Sequence, residues 1–293
     1  MRPPAASRTA EYMALFRAIE SFRRPETRLF HDPFAGEFLR PALRVVASLT
    51  RAPILSAAIP RLIDLKWPGA RSSGVARTRL IDDLLVDSLR NGIGQVVILG
   101  AGFDCRAYRI PEIERARVFE VDHPATLAVK RRCLERALGS LPSHVVLVET
   151  DFNRQALPVS LQAAGFDSAL RTFYIWEGVT NYLTDQAVDA TLRFVGASAP
   201  GSRILFTYVH REILQDAAGI AGSRALSRTL RRAGEEWTFG FDPVELPGYL
   251  KTRGLELSVD IGSLEYRTRY LKSGGIRLNG YEFYRAALAD AIG

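Results

Sequence analysis

Three carboxylates in this chain stand at or just past the ends of apolar runs: Asp122 in Phe119-Glu120-Val121-Asp122, Asp151 after Val148-Glu149-Thr150, and Glu177 after Ile175-Trp176. A further run, Val97-Ile98-Leu99, ends in Gly100-Ala101-Gly102. Glycines at the end of a buried strand let the backbone approach a ligand closely. Asp122 follows Gly102 by 20 positions, where an acidic side chain can accept both hydroxyls of an adenosine ribose. Asp151 is placed to accept from an adenine amino group, with Phe152 offering backbone and ring. If each run is a strand of one parallel sheet, Gly102, Asp122, Asp151 and Glu177 face a single crevice.

Two cofactor classes compete for such a crevice. An oxidoreductase binding NAD(P) would need a third glycine where Cys105 stands, and Asp104 would oppose the negative pyrophosphate. A cofactor with an adenosine and no phosphate fits better, and S-adenosylmethionine is such a molecule.

The elements that must position these residues follow from periodicity. Short β-branched runs at 95–99, 116–121, 144–148, 172–176 and 203–208 alternate with helical patterns, which predicts a doubly wound parallel sheet. Pro124 suits the first turn of a helix over 124–138, and Thr184 starts another. A helix is expected over 212–233, one more after Asp242-Pro243, a sixth strand over 255–261 and a seventh over 281–287. Turns at 273–275 and 279–280 would let the last two strands pair antiparallel. Residues 77–90 read as the helix that delivers the chain to the first strand, and His31-Asp32-Pro33 as a helix start capped by Asp32.

Residues 1–79 carry 14 basic and 6 acidic side chains, a balance of +8, whereas the whole chain of 293 residues has a net charge of +7. That excess fits a nucleic-acid arm, a membrane-surface segment or a cover over an anionic ligand. Arg40, Arg44, Arg51 and Arg61 are spread among apolar residues, which favours amphipathic helices over a disordered arm and places nucleic acid last. The stretch from Leu43 to Leu65 is interrupted by Arg44, Arg51, Arg61, Asp64, Pro53 and Pro60 and falls short of a membrane span. Cys105 and Cys133 lack metal-like spacing, so no metal site is expected and the cytoplasm is the expected location.

Several of these segments occur in an order that resembles a known family. Ala76-Arg77-Thr78-Arg79 with Ile81-Asp82, the run QVVILGAGFDCRAYRI from Gln95, FEVDHP from Phe119, Thr150 to Phe152, and WEGVTNYL from Trp176 are similar to the leucine carboxyl methyltransferase family. The similarity also takes in His31-Asp32-Pro33, Tyr270-Leu271 and residues 280–287. The resemblance implies that Arg77 binds the methionine carboxylate of S-adenosylmethionine, Gly100 and Gly102 form the cofactor turn, and Asp122 holds the ribose. It further implies that Asp151 and Phe152 contact adenine and that Glu177 lies near the methionine amine. A second basic residue that the family uses falls on Ser21 in one alignment and on Arg23 or Arg24 in another.

The expected fold is therefore α/β: a doubly wound class I methyltransferase, with a seven-stranded sheet whose last strand is antiparallel. Residues 1–92 would be a helical cap belonging to the same domain as the core of 93–293. The expected activity is S-adenosylmethionine-dependent O-methylation of a small-molecule carboxylate. Its rivals are an NAD(P)-dependent oxidoreductase and a non-catalytic adenosyl-ligand sensor. A carboxylate acceptor needs no general base, whereas a phenol or alcohol does, and His210 and Tyr208 are the candidate bases. Tyr174, Trp176, Tyr182 and Trp237 are candidate walls of the acceptor pocket. Arg106 and Arg109 are expected to pair with Glu120 or Glu177.

Overall fold

Strands covered by helices on both faces are apolar along their whole length, and the uninterrupted runs of this chain pair in that way. The computed structural model describes residues 8–151, 155–215, 237–271 and 281–292. Its strands are β1 (Gln95–Leu99), β2 (Arg117–Asp122), β3 (Val145–Glu149), β4 (Thr172–Trp176), β5 (Arg203–Val209), β6 (Leu255–Gly262) and β7 (Tyr284–Ala291). They form one sheet in the order β3-β2-β1-β4-β5-β7-β6. The first five run parallel, and β7 runs antiparallel to both β5 and β6. Every residue of β1 and β4 is buried. The strand order reverses between these two, which opens a crevice at their carboxyl ends.

Helices α1 (Arg8–Ser21), α2 (Pro41–Leu49), α3 (Leu55–Lys66) and α4 (Ala70–Arg90) precede the sheet. Then come α5 (Arg106–Arg109), α6 (Pro124–Leu138), α7 (Leu157–Ala163), α8 (Asp185–Gly196), α9 (Leu246–Lys251) and α10 (Ser263–Tyr270). The starts of α6 and α8 follow their sequence signals. His123 Nδ1 accepts from the Ala125 amide at 3.2 Å, and Thr184 Oγ1 accepts from the Ala187 amide at 3.2 Å. Among the described residues no helix is long and apolar enough to cross a membrane.

Four expectations need correction or fall outside view. The His31-Asp32-Pro33 segment leads into a short 3-10 helix, Ala35–Phe38, and not an α-helix, while the Asp32 carboxylate does take the amides at its start. One oxygen accepts the Phe34 and Ala35 amides at 3.1 and 3.0 Å, and the other takes Arg17 Nε at 2.9 Å. Helix α4 begins at Ala70, before the expected start at Arg77. Ser72, Ser73 and Gly74 break the apolar pattern yet are buried, and a Cβ on Gly74 would lie 2.7 Å from Met13 Cε of α1. Strand β7 starts later than expected, since the Tyr284 amide first closes a turn onto the Tyr281 carbonyl at 3.0 Å. Of the helix expected over 212–233, the described part is a 3-10 turn, Arg211–Gln215; the rest, with the turns at 273–275 and 279–280, lies outside the described residues.

The N-terminal helices pack on the turn that follows β1. Leu15, Phe16 and Ile19 of α1 share a buried cluster with Phe38, Phe103, Cys105 and Leu134. Phe38 and Phe103 stack with ring centroids 4.7 Å apart. Each such buried aromatic contributes roughly 2 to 3 kcal/mol, so these N-terminal segments and the turn hold each other in place.

Candidate active site

The turn after β1 is built on two left-handed glycines, Gly100 at φ 67° and Gly102 at φ 42°. A Cβ on Gly100 would lie 2.4 Å from Val179 Cγ2, so this position excludes any side chain. Asp122 closes β2 and clamps the turn: one oxygen accepts the Gly102 amide at 2.6 Å and the other the His123 amide at 2.6 Å. Below the turn, Lys130 of α6 lies 2.9 Å from Glu120 and donates to the Ala101 carbonyl at 3.3 Å, while Tyr108 donates to Glu120 at 2.8 Å. Burial pushes the Glu120 carboxyl up, against the pull of Lys130 and Tyr108.

Beside the turn runs a chain of buried ion pairs. Arg77 Nε of α4 meets Glu177 at 2.8 Å, and Arg106 Nη1 meets the other oxygen of Glu177 at 2.9 Å. Arg106 also holds Asp104 through the same nitrogen and Asp82 through Nε at 2.8 Å. Arg109 continues from Asp82 at 2.7 Å toward Asp32, which pairs with Arg17; Arg17 then donates to the Phe103 carbonyl at 2.5 Å. Desolvation alone would raise the Asp104 carboxyl, but Arg106, Lys130 and Arg17 outweigh it and lower it to about 2. Glu177 is likewise lowered despite burial, by Arg106 and Arg77. Burial opposes the charge on Arg77, yet its surroundings, Tyr284 and Glu177 foremost, leave it raised.

These groups border a cavity of about 630 Å³, a size suited to a small-molecule ligand. Arg77, Gly100, Gly102, Asp122 and Glu177 all line it. Asp151 follows β3, where its amide meets Gln155 Oε1 at 2.9 Å, and it is not part of the lining. Phe152 lies outside the described residues. Of the four candidate acceptor-pocket aromatics, Tyr182 and Trp237 line the cavity. Tyr174 and Trp176 instead point into the core: both are fully buried, and the Tyr174 hydroxyl meets Ser198 Oγ at 2.8 Å. Neither candidate base reaches the cavity. Tyr208 donates to Asp260 at 2.9 Å, and His210 Nδ1 accepts from the Glu212 amide at 3.3 Å. Arg106 pairs with Glu177 as the sequence suggested. Arg109 pairs with Asp82, because Lys130 occupies Glu120.

Sequence reasoning missed the contribution of α1, which brings Arg8, Tyr12, Met13, Phe16 and Arg17 to the cavity. Ser21, one alternative for the second basic position, is used inside the cap, donating to the Arg17 carbonyl at 2.7 Å, and Arg23 pairs with Glu20 at 3.2 Å. Tyr281 and Tyr284 were missed as well. Among the described residues Tyr281 alone, of those that are not glycine, has a positive φ, 65°. Such strain concentrates at ligand sites. Two donors fix its carbonyl, Ser263 Oγ at 2.5 Å and the Tyr284 amide at 3.0 Å.

A family model described as leucine carboxyl methyltransferase matches residues 10–196, from α1 through α8. A proposed S-adenosyl-L-methionine-dependent methyltransferase of Streptomyces coelicolor is 37% identical over 262 residues, 88% of this chain and 86% of that protein. The chain belongs to the leucine carboxyl methyltransferase family. It is an S-adenosylmethionine-dependent methyltransferase, and that assignment sets aside the oxidoreductase reading. A second relative of this methyltransferase, from Frankia alni, is 36% identical over 228 residues, 77% of each chain. A proposed methyltransferase of Thermobifida fusca YX has the same fold, with a TM-score of 0.59 at 17% identity over 95% of this chain and 94% of that one. The methyltransferase fold is also that of a DUF574 family protein from Streptomyces avermitilis, with a TM-score of 0.55 at 16% identity over 94% and 96% of the two chains.

Proposed function

We propose that this methyltransferase esterifies a carboxylate of a small organic acid, and that Arg77, Gly100, Gly102, Asp122, Asp151, Phe152 and Glu177 hold its cofactor. The donor set suits the cofactor's chemistry. The carboxylate of Asp122 is fixed by two backbone amides and retains lone pairs for ribose hydroxyls, while Glu177 and Arg77 offer one charge of each sign to the two ends of an amino acid. When bound, S-adenosylmethionine supplies a methyl group on a cationic sulfur, which a nucleophile displaces in line. The residues' part is to align the two reactants and to exclude water, which α1 does by covering the glycine turn.

One observation carries the choice of a carboxylate acceptor. Among the described residues that line the cavity there is no histidine, and Asp104 and Glu177 are engaged by arginines. Burial raises the Tyr281 hydroxyl, which makes it a hydrogen-bond donor and not a base. An acceptor that is already ionised needs no base, and Lys66 and Arg8 in the wall favour an anion. Incubation with methyl-labelled cofactor and a panel of small aliphatic and aromatic acids tests the reading. The labelled product should release methanol in mild alkali, as esters do. An alkali-stable ether formed from a phenol in the same panel would overturn it.

We also read residues 1–92 as a cap of the same domain, since α1 shares one buried cluster with the β1 turn and α6. A cytoplasmic setting is our reading from Cys105 and Cys133, both free and buried.

A further inference from the structure

Among the described residues, five of the eleven large hydrophobic side chains that stand exposed lie between residues 45 and 65: Val45 (59%), Leu49 (45%), Ile54 (84%), Leu62 (64%) and Leu65 (78%). Singly exposed leucines are ordinary, but clustered ones mark a surface made for contact. Val45 and Leu49 are four apart on α2, and Leu62 and Leu65 three apart on α3, so each pair shares one helix face. The opposite faces are anchored through Ala47 and Ile63, which are buried in the N-terminal cluster.

Exposed bases interleave these residues along the chain. Arg44, Arg51, Arg61 and Lys66 lie among the exposed apolar residues, with Asp64 as the one acid of the two helices. That acid is consumed by Arg71 at 2.6 Å, and Arg44 takes Glu37 at 3.5 Å. Arg51 packs over the Phe22 ring at 4.2 Å, and Arg61 has no acidic partner among the described residues. A face that is apolar and basic at once suits an anionic lipid surface. A second copy would set like charges against each other, and a neutral apolar partner would leave the bases unanswered. Helices of 9 and 12 residues are too short to span a bilayer, and such helices bind a membrane only by lying in its interface.

We propose that the exposed face of α2 and α3 docks the protein on an anionic membrane surface. Leu65 is followed directly by Lys66 and Trp67, which line the cavity, so the docked face leads into the cavity wall. An acid dissolved in the lipid would then have a short path to the site. That last consequence rests on the proposed carboxylate acceptor, whereas the docking itself does not.

Co-sedimentation of the full chain with vesicles tests it. The wild type should pellet with equimolar phosphatidylcholine and phosphatidylglycerol, stay in solution with phosphatidylcholine alone, and be released by high salt. Arg51→Glu/Arg61→Glu should weaken vesicle binding by at least about tenfold. Leu62→Asp/Leu65→Asp should abolish it. Both variants should keep a single cooperative melting transition and the wild-type S-adenosylhomocysteine affinity, which separates lost docking from lost folding. Wild type left in solution with anionic vesicles, or pelleting equally with neutral ones, would overturn the proposal. So would a concentration-dependent dimer that Leu62→Asp/Leu65→Asp dissociates while vesicles bind neither protein, since the face would then belong to a second copy. None of these readouts involves methyl transfer, so failure here and failure of the acceptor assignment are distinct results.

Discussion

Asp122 ties the end of β2 to the turn after β1 through the Gly102 amide, and the neighbouring His123 amide fixes its second oxygen, so its carboxylate is held in one orientation. Asp122→Ala removes both that orientation and the proposed ribose contacts. S-adenosylhomocysteine affinity measured by calorimetry should fall at least about tenfold, as expected for hydrogen bonds to a charged group; an unchanged Kd would show the ribose assignment to be wrong. Arg77→Ala should weaken S-adenosylhomocysteine by a similar factor while leaving the affinity for adenosine alone unaltered, because in the proposed assignment only the amino-acid end meets this guanidinium. Asp104 links residue chemistry to folding. Its folded value of about 2 lies below the ordinary 3.8, so its ionised form stabilises the fold above pH 4. That contribution, on the order of 2 kcal/mol, is lost as the pH falls from about 4 to about 2. Glu177, also lowered, acts with the same sign. Urea midpoints followed from neutral to acid pH should therefore drop steeply below pH 4 in the wild type and less steeply in Asp104→Asn.

At the scale of elements, β2 and α6 are tied by the Lys130–Glu120 pair, whose two side chains are both fully buried. Breaking one side of such a pair leaves an unpaired buried charge at a cost of roughly 3 to 5 kcal/mol, whereas replacing both sides is far milder. Lys130→Met should accordingly unfold at much lower urea than the double variant Lys130→Met/Glu120→Gln, a comparison that a denaturation series settles. The sequence announced β2 and α6 clearly, through an apolar run and a Pro124 start, because those signals are local. It was silent on Lys130, whose role appears only when helix and strand are packed. The same distinction explains the aromatics. Tyr174 in the middle of β4 and Trp176 at its end look like pocket walls in the sequence, but a central strand is buried on both faces, so they pack inward. Helix α4 ran past its expected start because Gly74 is read by its contact with Met13 and not by propensity. Tyr281 gave no sequence signal, since a positive φ outside glycine is imposed by the surrounding chain.

At the scale of the whole molecule, Asp32, Arg17 of α1, Asp82 and Arg77 of α4, Arg106 and Arg109 of α5, and Glu177 just past β4 form one connected assembly. Cap and core should open together: in native-state hydrogen exchange the amides of Leu15 to Ile19 should report the same opening free energy as those of β1. Early exchange of α1 alone would show a loosely attached cap. The assembly also counts out evenly, with Arg17, Arg77, Arg106 and Arg109 matched by Asp32, Asp82, Asp104 and Glu177. A zwitterion entering beside Arg77 and Glu177 trades one ion pair for two and leaves the total charge of the site where it was. Binding of such a ligand should draw no protons from solution and release no counterions. Its calorimetric enthalpy should be the same in buffers of different ionisation heat, and its affinity nearly flat in salt, in contrast to the salt-sensitive vesicle docking proposed for α2 and α3.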